Sequence, residues 1–487
     1  MNSGILRYVL GFVLKIEGIL LLLPCAVAFI YGESEGISYA GVAAVSLLIG
    51  ILMSYRKPKS NVFYLKEGCV TTGLSWILLS LIGCLPFVIS GEIPSFTDAL
   101  FETISGFTTT GTTILTDIEA LSHCSLIWRS FTHWIGGMGV LVFILAIIPL
   151  GGGYNMNIMR AESPGPSVGK LVPKVKSTAR LLYCIYIGLT VLEIVLLLIG
   201  GLSIFEAVNT GFATAGTGGF GIRNNSLTDF SLFNQWVVTI FMILFGVNFN
   251  AYFFLLYRQF RKALGMEEVR WYFIIIGVSI LIIFINILDT SANAIRALTD
   301  ASFQVAAIIT TTGFSTVDFN QWSGACKTIL VLLMFIGACA GSTGGGMKVS
   351  RIVIMIKTMF KELHSYIHPN SVRKIKFEKK PIEHEVLRST NVYLITFILI
   401  FVSSVFLISF DGFDLTTNFT AVAATINNIG PGLEGAGPTQ NFSVFSSFSK
   451  YVFMFDMLAG RLELFPLLIF FHPKVWGELF SAKIKRK

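Results

Sequence analysis

The stretch "ITTTGFSTVDF", Ile309–Phe319, lies between two long apolar segments and contradicts both of them. Threonines crowd the backbone of a helix and glycine weakens it, so the run is a poor helix former. It is also a poor lipid-facing surface, because irregular backbone at membrane depth needs protein or water around it. A near-copy, "FTTTGTT", stands at Phe107–Thr113, so one accident does not explain it.

The surroundings are those of a membrane protein. Of 487 residues, 54% are hydrophobic and only 13% charged, where a soluble chain carries about a quarter charged residues. Apolar runs recur at 18–31, 38–54, 70–90, 134–150, 181–200, 236–257, 271–288, 328–341, 392–410 and 451–471. Several approach the ~20 residues that cross about 30 Å of hydrocarbon. The net charge of +8 is unevenly spread: 28 of the 36 Lys and Arg fall in 56–66, 160–180, 258–270, 348–388 and 474–487. Alternate loops, such as "YGESEGIS" at 31–38 and "TDIEALSHC" at 116–124, are poor in both. That is the positive-inside pattern; it makes the basic segments and both termini cytoplasmic and removes nucleic acid as a reading of the charge. Lys15 and Glu17 interrupt the first apolar run and no small-residue cleavage site follows, so 4–31 is read as a retained span. The seven cysteines are scattered without metal spacing and read as small hydrophobes.

Charge and length conflict between Lys66 and Arg160. Two spans, near 68–90 and 125–150, already satisfy the charge rule, yet "IPSFTDALFETISGFTTTGTT" (93–113) lies between them. It is too short and polar to cross, but Phe96, Ala99, Leu100, Thr103 and Phe107 have helical spacing. A half-length helix that enters and turns back resolves the conflict. The unit recurs as "FTDALFETISGFTTTG" (96–111), "SIFEAVNTGFATAG" (203–216), "RALTDASFQVAAIITTTG" (296–313) and "DLTTNFTAVAATINNIG" (414–430), with Phe101, Phe205, Phe303 and Phe419 ten or eleven residues before the closing glycine. The expected fold is an all-α polytopic membrane protein. Two leading spans (1–66) precede four pseudo-symmetric span, pore helix, filter strip and span repeats at 67–160, 161–262, 263–388 and 389–487 around a central pore.

Four such strips suit a cation filter. Carbonyls and threonine hydroxyls replace the ion's hydration shell without a fixed charge that would trap it. Glycine is needed where successive carbonyls must aim inward through left-handed backbone angles.

On "SGFTTTGTT" (105–113), "GTGGFG" (216–221), "TTTGFSTVDF" (310–319) and "NNIGPGLEGAGP" (427–438), the chain resembles the Trk/Ktr/HKT superfamily of potassium transporters, most of all its bacterial TrkH-type membrane subunits, over essentially its whole length. The resemblance implies potassium as the transported ion and one key glycine per strip. By residue matching the filter set is Thr109, Thr110, Gly111 and Thr112; Gly216, Thr217, Gly218 and Gly219; Thr311, Thr312 and Gly313; Asn428, Ile429 and Gly430. A serine in the first strip goes with sodium transport in plant relatives; here the position is Gly111. In strip 2, matching "GFATAG" selects Gly216 and matching "GGFG" selects Gly219; family resemblance favours Gly219, and both stay open.

The second span of repeat three is interrupted by "GACAGSTGGGMK": Gly337, Ala338, Cys339, Ala340, Gly341, Ser342, Thr343, Gly344, Gly345, Gly346, Met347 and Lys348. Met347 stands where a phosphate loop needs lysine. The segment is either a close-packing stripe or a broken span; the resemblance favours a gating loop beneath the filter. Lys348 and Arg351 are expected to hold its inner end at the cytoplasmic face. Arg461, within an apolar run, must pair, snorkel or face water. The alternatives are a pair with Glu463 or Asp456, or an electrostatic barrier at the base of the filter, which the resemblance supports. Glu102 and Glu206 either brace the filter from behind or sit at its mouth; Asp318 and Glu434 are mouth candidates. His133 and Trp134 read as interfacial anchors.

Two transport classes stand open, a channel-like potassium conductor and a coupled K+/H+ or K+/Na+ symporter. An enzyme is disfavoured, since no HExxH, G-x-S-x-G or nucleotide loop occurs. The longest cytoplasmic segment, about 360–390, is too short to fold alone; its "HPNSVRKIKFEKKPIEHE" suits a protein partner or anionic lipid headgroups. The resemblance further implies a bacterial inner-membrane location, a homodimer, and a separate cytoplasmic TrkA-like nucleotide-binding subunit, so no organic cofactor is expected in this chain.

Overall fold

Each half-length helix starts on a side chain that caps it. Ser95, Ser203, Asn293 and Asp414 accept hydrogen bonds from the backbone N–H three residues on, at Asp98, Glu206, Arg296 and Thr417. The structure is a computed structural model that describes residues 3–58, 64–139, 175–371, 373–462 and 464–477.

Two leading spans come first, one made of α1 (Ser3–Leu20) and α2 (Leu22–Tyr31), the other α3 (Gly36–Ser54). They pack through small residues; a Cβ on Gly11 would meet the Gly50 carbonyl at 2.9 Å. Repeat one follows as α4 (Leu65–Gly83), α5 (Leu85–Ser90), pore helix α6 (Phe96–Phe107) and α7 (His123–Met138). Repeat two is α8 (Val175–Ile199), pore helix α9 (Ile204–Ala215), α10 (Leu232–Phe245) and α11 (Phe249–Leu256), the last two bent by 93°. A short α12 (Phe260–Ala263) leads to repeat three: α13 (Glu267–Ile287), pore helix α14 (Ala294–Ile309), α15 (Gly324–Ile336) and α16 (Val349–Ile367). An antiparallel pair, β1 (Lys376–Phe377) with β2 (Lys380–Pro381), precedes repeat four: α17 (His384–Ile408), pore helix α18 (Leu415–Ile426), α19 (Ser447–Leu462) and α20 (Leu464–Phe471). Among the described residues six helices are long and apolar enough to cross a membrane, seven with the bent pair. The part of the expected 125–150 span beyond Gly139, the basic stretch up to Lys174 and the C-terminal residues after Gly477 lie outside the described residues.

The C-terminal half of each pore helix is enclosed by these spans, while apolar residues near the N-terminal ends, such as Ile204, Ile295 and Leu415, stay exposed. Phe101 and Phe303 are fully buried at matching positions. The phenylalanine register expected for repeats two and four does not hold. Counted from the helix ends, the matching residues are Asn209 and Thr420, while Phe205 packs against Tyr31 and His123, and Phe419 against Phe335 and Phe401. In repeat two the spacing to Gly216 ends on the helix C-cap, three residues before Gly219.

Candidate functional site

The four strips leave their pore helices by one backbone path. The first residue after each helix, Thr108, Gly216, Thr310 or Asn427, is the C-cap and still bonds back into the last turn. The next, Thr109, Thr217, Thr311 or Asn428, has φ between +53° and +59°. Two residues later come Gly111, Gly219, Gly313 and Gly430, with φ of +83°, +80°, +80° and +107°. Between them, the N–H of Thr110, Gly218, Thr312 and Ile429 each donates to a carbonyl five residues back, at 2.8–2.9 Å. The register in strip 2 therefore aligns Gly219 with the other three glycines; Gly216, the other open candidate, is the helix cap equivalent to Thr108.

The strips close into a ring. A Cβ placed on Gly111 would collide with the carbonyl oxygen of Gly218, one on Gly219 with Thr312 O, and one on Gly313 with Ile429 O. On Gly430 it would meet Thr110 O at 3.1 Å. Each glycine thus faces the preceding residue's carbonyl on the next strip, and only glycine fits both the angle and the space. All four glycines line one cavity of about 230 Å³, with Arg129, Arg223 and Asn441 among its other walls. Four helix C-termini, each carrying about half a negative charge, end at this ring and favour a cation there. Around it the Thr109 hydroxyl and the side-chain oxygens of Asn427 and Asn428 are buried without a protein partner.

Glu102 sits behind strip 1, wholly buried. It pairs with buried Arg129 at 2.8 Å and accepts from Ile114 N at 3.1 Å and Thr113 Oγ1 at 2.9 Å. Arg129 also lies 4.2 Å over the Phe220 ring of strip 2. Of the two expectations for Glu102, the brace is the one seen. Glu206 instead completes the N-terminal capping box of α9 and pairs with Arg223. Asp318 caps its own turn and Glu434 pairs with Lys327 at 3.4 Å; neither lines the cavity. His133 is no interfacial anchor: it is fully buried against strip 2. Trp134 is half-buried and donates to Thr190 at 3.3 Å.

The repeat-three span is broken between α15 and α16, and its loop lies against strips 3 and 4 where they leave their pore helices. Gly345 N donates to Thr311 Oγ1 at 2.6 Å, a Cβ on Gly344 would meet Thr310 O at 2.9 Å, and one on Gly345 would collide with Asn427 O. The α10–α11 bend supplies the loop with freed backbone groups. Cys339 N donates to Gly246 O at 3.1 Å, Thr343 N to Phe245 O at 3.3 Å, and Phe249 N to Gly341 O at 3.0 Å. Such pairing is what allows irregular backbone at this depth. Glu268, at the start of α13, holds both flanks of the loop, accepting from Ala340 N at 2.7 Å and Ser350 N at 3.1 Å. Glu378, in the turn between β1 and β2, accepts in turn from Glu267 N at 2.8 Å.

Lys348 and Arg351 depart from the expected surface position. Lys348 is buried with φ +79° and folds back to the carbonyls of Gly344 and Gly345; Arg351 is buried over the Tyr393 ring at 4.0 Å. The buried carbonyls of Gly344 and Gly345 need a local donor, and Lys348 supplies it. Arg461 donates to Thr343 O of the loop at 2.9 Å and to the carbonyls of Gly136 and Gly137, the latter at 2.6 Å. Its neighbour Gly460 packs against Ile426 O at the end of the fourth pore helix. Asp456, one expected partner, is taken by Ser404 at 2.7 Å, and Glu463 lies outside the described residues.

A family model described as a cation transport protein, TrkH, matches residues 38–478. The chain belongs to the TrkH family. The Trk system potassium uptake protein TrkH of Escherichia coli K12 is 35% identical over 467 residues, covering 94% of this chain and 96% of that protein. The TrkH of Halomonas elongata is 32% identical over 487 residues, covering 98% and 100%. The crystal structure of the potassium transporter TrkH from Vibrio parahaemolyticus superposes with a TM-score of 0.88 at 31% identity, covering 98% of this chain and all of that one. This TrkH-family chain is accordingly a multi-pass membrane transporter, and the four-strip ring lies at the centre of its fold.

Proposed function

We propose that this chain takes up potassium across a bacterial inner membrane, with both termini cytoplasmic, through a pore whose selectivity filter is the four-strip ring. A dehydrated potassium ion is held by the carbonyls of residues 109–111, 217–219, 311–313 and 428–430, in the field of four helix C-termini. The single observation that carries this reading is the convergence of Gly111, Gly219, Gly313 and Gly430 on one cavity, each against the next strip's carbonyl. The unpartnered oxygens of Thr109, Asn427 and Asn428 are further acceptors available to ions or water on the same path.

The loop from Gly337 to Lys348 acts as the gate, and the arrangement described is its closed form, seated under strips 3 and 4. Arg461 serves as latch and barrier at once: it ties the loop to α7 and places a fixed positive charge where a cation must leave. A cytoplasmic nucleotide-binding subunit, TrkA-like, drives the loop from outside the membrane, and the membrane subunit works as a homodimer with one pore per chain. The test is rubidium or potassium flux into vesicles with no proton or sodium gradient. Flux down the potassium gradient alone supports the pore; flux that appears only when a second ion gradient is imposed establishes coupled symport instead.

A further inference from the structure

Strip 2 differs from the other three at one position. The residue before the filter glycine carries a side chain in strips 1, 3 and 4, as Thr110, Thr312 and Ile429, but is Gly218 in strip 2. In strips 1 and 3 that side chain is tied locally: the Thr110 hydroxyl lies 2.8 Å from that of Thr108, and the Thr312 hydroxyl 2.7 Å from that of Thr310. Beside Gly218 the corresponding space is filled from another helix. A Cβ there would collide with Cγ, Nδ1 and Cδ2 of the His133 ring, which projects from α7 and is fully buried.

Both nitrogens of that ring are engaged. Nδ1 lies 2.8 Å from the Gly106 carbonyl oxygen, which only accepts, and Nε2 lies 3.2 Å from Phe220 N, which only donates. The two partners together require the neutral Nδ1–H tautomer. One imidazole therefore fastens the last turn of the first pore helix to the backbone just beyond Gly219, with the Phe220 ring 4.2 Å away. The same helix position in repeat four shows what is special here. Gly136 and Gly460 each pack on a carbonyl near the end of their own pore helix, Phe107 O and Ile426 O. Three residues before Gly460, Met457 reaches the neighbouring strip as an apolar filler, its sulfur 4.0 Å from Thr112 Oγ1. Three residues before Gly136, the place is held by His133.

We propose that His133 is a specificity-determining positioning residue: an imported side chain that replaces the one Gly218 lacks and fixes the direction of the strip 2 carbonyls. The inference rests on reading the four strips as a filter. It also explains why a glycine-rich strip, the softest of the four by sequence, holds the same backbone angles as its threonine-rich neighbours.

The experiment measures the K+/Na+ permeability ratio from reversal potentials of the purified full-length protein in planar bilayers, with the yield of monodisperse protein recorded for every variant. His133→Met keeps the bulk but removes both hydrogen bonds, and should lower the ratio about tenfold while conduction persists. Gly218→Thr alone should do worse, in ratio or in folded yield. Combined with His133→Ala, which vacates the ring's space, it should recover to within about threefold of wild type, as expected for two residues sharing one site. A wild-type ratio in His133→Met overturns the proposal, and so does a double variant no better than Gly218→Thr in both ratio and yield. Gly313→Ser runs alongside. If it lowers the ratio and His133→Met does not, only the role of His133 falls; if neither changes it, the filter reading itself falls.

Discussion

Replacing Arg461 with alanine should raise cation flux through the resting protein by one to two orders of magnitude. Among its hydrogen bonds described above, one reaches the Gly337–Lys348 loop proposed as the gate, at Thr343 O, while two tie α19 to the end of α7. A hydrogen bond to a charged donor is worth about 1.5–3 kcal/mol. Losing the loop bond shifts the closed–open balance by about 10- to 100-fold, at roughly 1.4 kcal/mol per factor of ten. The fixed charge adds to this: a cation passing about 6 Å away meets a repulsion of roughly 3 kcal/mol at an effective dielectric near 20, and under 1 kcal/mol where water fills the path. The assay is rubidium uptake into vesicles holding the membrane subunit alone. Arg461→Lys separates the two effects, since it keeps the charge but cannot span all three carbonyls. Raised flux in both variants marks the latch as dominant; raised flux in Arg461→Ala alone marks the barrier. Flux within twofold of wild type in well-folded Arg461→Ala would refute both roles.

Other outcomes follow from neighbouring contacts. Glu268→Gln weakens the grip on Ala340 and Ser350, and basal flux should rise about tenfold, on the scale of a charge-assisted hydrogen bond, in the same vesicle assay. Arg129→Leu leaves the Glu102 carboxylate, which has no exposed side-chain surface, without its paired cation. Stability should fall by about 3–5 kcal/mol, read as a lower melting temperature in detergent, with partial recovery on adding Glu102→Gln. Burial pushes the Glu33 carboxyl up, but donation from His123 N and Cys124 N outweighs it and holds the group below its ordinary value. A depressed carboxylate contributes stability above its unfolded pKa and loses it as pH falls through the folded one. Glu33→Gln should therefore melt lower than wild type at pH 7, with the gap closing as pH drops below the ordinary glutamate range.

The repeat plan was legible because it is written in length and charge: a polar half-helix cannot hide between two spans of fixed sidedness. Strips 1 and 3 were legible because each supplies its own threonines around its glycine. Strip 2 was ambiguous for a physical reason, since the side chain that completes it is His133, more than eighty residues away on another helix. His133 itself looked interfacial because it opens an apolar run, and nothing local marks a ring turned inward. Glu268 was missed on the same ground: beside a basic loop it reads as a solvated flank, and its partners appear only once the loop folds against it. The bend after Phe245 had a signal, Gly246 and Asn248 in an apolar run, whose meaning needed the facing N–H donors of Cys339 and Thr343 and the Gly341 carbonyl. Lys348 was placed by its charge, whereas the unsatisfied carbonyls of a glycine loop decide its position.

The reversal potential under opposed potassium and sodium gradients, compared between wild type and Gly313→Ser, bears most directly on the ring. A serine Cβ at position 313 lands on the Ile429 carbonyl oxygen and must adopt φ near +80°, so strips 3 and 4 have to move apart. The expected result is a conducting protein whose preference for potassium over sodium has largely collapsed. A folded, conducting Gly313→Ser protein with the wild-type ratio would contradict the four-strip filter.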